Sequence, residues 1–161
     1  MATRDELVQA VIDGQMFVYS DIVNLAPGAV AYAGFLTGSQ PVMVDRRTYG
    51  STLKDVTIRF YENTTFTGGT PLAGTNRDRT MIGITMPEPQ AVSKGITPGT
   101  LPAPLFQVRL LDANVLAATF GDLNDDRIRL AKLTSYVLSV TNNDTATADF
   151  SWAFLVRSLP S

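Results

Sequence analysis

Asp55–Thr80 reads DVTIRFYENTTFTGGTPLAGTNRDRT, and its first half decides the fold class. Val56, Ile58 and Phe60 alternate with Thr57, Arg59 and Tyr61, the period of a half-buried strand. From Asn63 the residues turn small and polar. Gly68 and Gly69 permit backbone angles that side chains forbid, and Pro71 with Gly74 marks a second reversal. Asn76, Arg77, Asp78 and Arg79 make a polar corner before Met81, Ile82 and Ile84 resume an extended apolar run. The unit reads as strand, decorated corner, strand, and its apolar face needs a second sheet or another subunit to cover it.

Working outward, the same pattern recurs at short intervals. Met16–Val23 and Ala29–Leu36 are apolar runs around Asn24-Leu25-Ala26-Pro27-Gly28, a hairpin-like signal. Val42–Asp45 is a further short strand, and Arg46–Gly50 reads as a polar crossing into the strand at Val56. Leu105–Leu111 and Val115–Phe120 flank Asp112-Ala113-Asn114. Tyr136, Leu138 and Val140 alternate with their neighbours, as do Phe150, Trp152, Phe154 and Val156, so that a C-terminal hairpin with one aromatic face is expected about Asn142-Asn143-Asp144. Trp152 is expected in the core. Regular short strands favour a β-sandwich or barrel over any alternating helix and strand plan.

Residues 1–14 differ. Thr3 and Glu6 have capping-box spacing, Gly14 supplies a stop, and Leu7, Val8 and Val11 share a face, which predicts a helix of about three turns. So short a helix needs a surface, either its own domain or that of a neighbour. The domain reading is a helical arm over 1–14 and a β-sandwich over 15–161, with a proline-rich loop at 87–104. Pro87, Pro89, Pro98, Pro102 and Pro104 each remove a backbone donor there, so the stretch is expected to project, passively or over a neighbouring subunit. The candidate interface residues are Leu7, Val8, Val11, Pro98, Leu101 and Pro102.

Composition limits the chemistry. The 161 residues include no histidine and no cysteine, which removes the usual general base, the commonest metal ligand, thiolate zinc sites and disulfides. Charged residues are 17% of the chain and the net charge is -2, too little positive field to gather nucleic acid. No signal peptide and no membrane span is visible. Asp122, Asn124 and Asp126 have the spacing of the first ligands in a calcium loop, but Arg127 stands where glycine is needed and Leu133 where a bidentate glutamate belongs, so a solvated acidic turn is expected. No cofactor is expected.

Two segments resemble a family of tailed-phage virion proteins, the head decoration or cement proteins. Phe60-Tyr61-Glu62, Phe66–Leu72 and Asn76-Arg77-Asp78-Arg79 are similar to that family's strand, Gly-Gly turn and Asn-Arg-rich corner. Leu133–Asn143 followed by Phe150-Ser151-Trp152 is similar to its closing hairpin. The resemblance runs from the central strand to the C-terminus, interrupted by the proline-rich loop. It implies a jelly-roll-like sandwich, a homotrimer, and the major capsid protein as partner on the outer surface of a virion assembled from protein made in the host cytoplasm.

Three functions compete. The first is a structural one, clamping capsid subunits. The second is a virion or cell-surface sandwich that binds a receptor or glycan, which needs an exposed aromatic such as Trp152 or Tyr49. The third is an enzyme with paired carboxylates, for which Glu6, Glu62 and Glu88 are the only glutamates and nothing brings one beside an aspartate.

Overall fold

A computed structural model describes residues 8–11, 13, 15–52, 55–77, 91–110, 118–120 and 127–159. The chain is an all-β sandwich with a short N-terminal helix. One sheet places β1 (Met16–Leu25) between β7 (Thr75–Asn76) and β14 (Ala148–Ser158), with β3 (Val42–Ser51) beyond β14 and both β11 (Ala118–Phe120) and β12 (Ile128–Leu130) on the far side of β3. The facing sheet runs β10 (Phe106–Leu110), β4 (Val56–Glu62), β13 (Ser135–Asn142), β2 (Val30–Leu36), β8 (Ala91–Lys94), β6 (Thr70–Pro71). All pairings are antiparallel. The order β1-β14-β3-β11 facing β2-β13-β4-β10 is that of a jelly roll, two interleaved Greek keys.

This topology corrects two sequence expectations. Asn24–Gly28 and Asn142–Asp144 do not close hairpins, because β1 and β2 lie in opposite sheets, as do β13 and β14. Each turn instead carries the chain across the sandwich. Asn142, fully buried, locks both corners together: its Nδ2 donates to the Leu25 carbonyl at 3.0 Å and the Ala146 carbonyl at 2.8 Å, and its Oδ1 accepts the Asp144 N–H at 2.9 Å. A turn signal fixes reversal of the chain, not which strand lies beside which.

A third correction concerns Arg46–Gly50, which continues β3 to Ser51. The register of β3 against β14 slips at Asp45, so that Val44 and then Arg47 and Tyr49 all point inward. The Arg47 guanidinium sits 4.4 Å above the Phe106 ring, which lets a cation occupy the sandwich margin. Strand β12, over 128–130, has no counterpart in the sequence reading.

The core lies between the sheets. Phe17, Tyr19, Tyr49, Phe150, Trp152 and Phe154 from one meet Phe35, Phe60, Tyr136 and Leu138 from the other. Phe154 stacks on Phe35 at 5.3 Å and meets Phe60 edge-on at 6.2 Å. The alternation expected of 148–158 holds, with every even position buried as far as Val156.

Outside the second sheet lies a thin third layer. The two-residue strands β5 (Phe66–Thr67) and β9 (Thr97–Pro98) pair with each other, and Phe66, Ile96 and Leu101 pack over Tyr32, Tyr61 and Val137. Gly34 makes this possible: a Cβ there would lie 2.6–2.8 Å from the Phe66 ring. At Gly69 a positive φ of 92° combines with Ile96 2.6 Å from where a Cβ would sit. Residues 91–104 therefore do not project as expected. Residues 91–94 form a strand between β2 and β6, and the following prolines border a layer folded back on the chain's own sheet. The apolar outer face of β13, with Val137 wholly buried, explains why the layer closes there.

Candidate functional site

The two outer faces of the sandwich are unlike. On the second sheet the third layer buries Val137, Tyr61 and Ile96. On the first sheet the middle of the outer face holds Val18, Ser20 and Ile22 on β1, Ser151, Ala153 and Leu155 on β14, and Thr48 and Gly50 on β3, none of them charged. Charges flank it, with Asp149 opposite Asn24 and Arg46 opposite Leu155. Ile22 is 71% exposed, an apolar side chain in the middle of a strand facing solvent.

Among the described residues, that face ends in an open edge. Strand β7 pairs with β1 only at Phe17 and Val18, and the chain preceding it swings away at Gly74, which is pressed against the Tyr19 ring. From Ser20 to Leu25 no described strand adjoins β1 on that side. The direction of its free groups follows from one bond. Met16 accepts the Arg77 N–H on the open side at 2.9 Å, and antiparallel backbone alternates, so Ser20, Ile22 and Asn24 also aim N–H and C=O outward. On the other sheet β8 reaches only Ala33–Leu36, so Val30 lies beyond its end.

Between these two edges runs a groove of about 630 Å³, lined by Ile22, Val23, Ala31, Leu138, Val140 and Trp152 among others. Asp21 and Lys94 bridge it with an ion pair of 2.8 Å, side chains 14% and 44% exposed. A pair this accessible contributes about 1 kcal/mol or less, enough to orient the rim and too little to seal it.

A second exposed apolar residue stands at a strained corner. Leu133 has φ 52° and is 75% exposed. The turn around it is firmly wired: its N–H donates to the Gly38 carbonyl at 2.8 Å, Thr37 Oγ1 accepts the Thr134 N–H at 2.9 Å and donates to the Ala131 carbonyl at 2.6 Å, and Tyr136 Oη accepts the Ala131 N–H at 2.7 Å. Left-handed backbone is costly for a branched side chain, and such strain persists only where surroundings impose it.

The ionisable groups inside the sandwich serve structure. The Asp45 side chain, 2% exposed, lies 2.7 Å from Arg157 and 3.6 Å from Arg127, so Arg127 neutralises β3 and not only the acidic turn before it. Burial pushes the Tyr19 phenol up to about 12. Burial, then the bond from its hydroxyl to Glu62 at 2.8 Å, pushes Tyr136 up to about 12. At the surface, the Arg109 guanidinium holds the Asp55 carboxyl below its ordinary range through bonds of 2.8 and 2.6 Å. Among the described residues no cluster of three or more acidic side chains could hold a metal ion, and no helix is long and apolar enough to cross a membrane. The acidic turn at 121–126 lies outside the described residues.

The candidate interface residues fall apart into two places. Leu7 and the Thr3–Glu6 cap lie outside the described residues. Val8 is 51% exposed and Val11 half-buried in the short helix over 8–11, whose buried side chain is Ala10. Pro98 and Leu101 are half-buried in the third layer, Pro98 opposite Phe66, while Pro102 is exposed. Leu101 thus packs on its own sheet. Trp152 and Tyr49 are buried, at 4% and 1% exposure, and offer no ring face to a sugar. Ile22 and Leu133 were missed. Ile22 hid inside an apolar run, and nothing in Lys132-Leu133-Thr134 marks a residue held outward. No family model matches this chain, and no curated protein matches it either.

Proposed function

We propose that this protein is a phage virion structural component, a decoration or cement protein that binds the outer capsid surface, self-associates as a homotrimer and stabilises the head. The observation that carries the reading is the uncharged middle of the outer face of β1, β14 and β3, from Val18 to Ile22 and across to Ser151, Ala153 and Thr48, which meets an edge of β1 that no described strand adjoins beyond Val18 and includes the exposed Ile22. Such a face gains from being covered, at about 25 cal/mol per Å² of apolar surface before ordering and docking costs are subtracted. The segments similar to decoration proteins support the same reading, and its partner is the major capsid protein. A receptor- or glycan-binding role has less support, because the rings it would use are inside the sandwich.

The test is a particle experiment. Heads lacking the protein should disrupt at lower temperature than wild-type heads, and adding the purified chain back should restore the difference and place density on the outer shell. Heads of equal stability with and without it, or a location inside the particle, would refute the proposal.

A further inference from the structure

The open stretch of β1 is self-complementary, and we propose that it pairs edge to edge with β1 of a second copy about a two-fold axis through Ile22. Three observations converge. First, the outward-facing backbone groups belong to Ser20, Ile22 and Asn24, an odd set of alternate residues. Antiparallel pairing centred on Ile22 therefore sets Ile22 opposite the second copy's Ile22, Ser20 opposite its Asn24 and Asn24 opposite its Ser20. In all three pairs both partners aim their N–H and C=O at each other, which a centre one residue away would not allow.

Second, the side chains agree with that register. Ile22, 71% exposed, gains an apolar neighbour directly across, and each serine meets an asparagine. The residues between are Asp21 opposite Val23, so no like charges oppose, and each Asp21 is already neutralised by Lys94 at 2.8 Å. Third, Ser20–Leu25 contains no proline and no lysine or arginine, its register against β14 is unbroken, and its one charge, the inward-pointing Asp21, is already paired with Lys94. The product is one sheet continuous from β14 through both β1 strands to the second β14. It leaves Leu133 and the third layer unused, so a three-fold assembly on other surfaces would be linked in pairs through it.

The contact needs only the purified chain and no capsid, so its failure is separable from failure of the decoration role. The chain has no cysteine, which makes a register test direct. Facing residues of a narrow antiparallel pair have Cα atoms about 5.5 Å apart, within disulfide range. Under mild oxidation Ile22→Cys should give a disulfide-linked dimer. Ser20→Cys and Asn24→Cys, each about 14 Å from its own copy at 3.4 Å per residue, should not. The Ser20→Cys/Asn24→Cys double variant should link again. Ile22→Lys, at an exposed position that keeps the fold, should lower the mass measured by light scattering. Equal linking of all single variants, or no linking of Ile22→Cys, would overturn the proposal.

Discussion

Asn142 and Asn143 are neighbours in sequence with very different work, and substituting each by alanine separates them. Asn142→Ala removes two donors and one acceptor, the bonds to the Leu25 and Ala146 carbonyls and from the Asp144 N–H. At about 1 kcal/mol net for each, the loss comes to about 3 kcal/mol. For a 161-residue domain that lowers Tm by roughly 6–12 °C. Asn143→Ala loses bonds to Thr57 Oγ1 at 2.7 Å and Asp55 Oδ1 at 3.2 Å, but its side chain is exposed and water replaces them, so the cost stays under about 1 kcal/mol. Urea melts of both variants, read at constant slope, measure the difference. Equal destabilisation by the two, or a shift of under about 2 °C for Asn142→Ala, would show that the corner between the sheets is not held by this side chain.

Gly34→Ala should destabilise by about 1–3 kcal/mol, because the added methyl meets the Phe66 ring, and combining it with Phe66→Ala should cost less than the two changes summed; a double-mutant cycle in urea reads the coupling. Asp45→Ala leaves Arg157 and Arg127 without their shared carboxylate and should cost about 3 kcal/mol, at the low end for a buried pair since both arginines reach solvent, as denaturant melts would show. Tyr19 is raised from 10.0 to about 12 in the folded chain, so its contribution is full below pH 10 and is lost as pH climbs toward 12, where the unfolded chain ionises first. Tyr19→Phe should accordingly flatten the fall of Tm above pH 10; an unchanged alkaline limb would contradict this. Asp55 titrates the other way: held low by Arg109, it favours the fold above the ordinary carboxylate range and loses that contribution as pH falls, so Asp55→Asn should shrink the acid-side decline in Tm.

Much of the fold was legible because one-sided burial writes itself as alternation. Val56, Ile58 and Phe60, and Phe150, Trp152 and Phe154, are all buried where the period-two pattern put them. The pattern failed where both faces are covered. Strand β13 buries Val137 and Ser139 as well as Tyr136 and Leu138, since a third layer sits on it, and that layer comes from residues whose prolines argued for a projecting loop. It failed again at Asp45, where one bulged residue shifts the phase and disguises half a strand as a polar crossing. Pairing partners were out of reach for a different reason. Antiparallel neighbours in a jelly roll are distant in sequence, β1 with β14 above all, and a turn at Asn24–Gly28 is chemically the same whether the chain returns beside itself or crosses to the opposite sheet.

The candidate site illustrates why a surface of this kind escapes a sequence reading. Ser20, Ile22 and Asn24 would be unremarkable in any interior strand, where the groups they aim sideways would be bonded to a neighbour. They become a site only because β7 meets β1 for two residues and then departs, a fact set by Gly74 against Tyr19 more than 50 residues downstream. An apolar side chain on the solvent side of a strand is commonplace by itself. Joined to three outward peptide groups, a register with no opposed charge and uncharged neighbours at Ser151 and Ala153, Ile22 becomes the centre of the surface proposed to pair with its own copy.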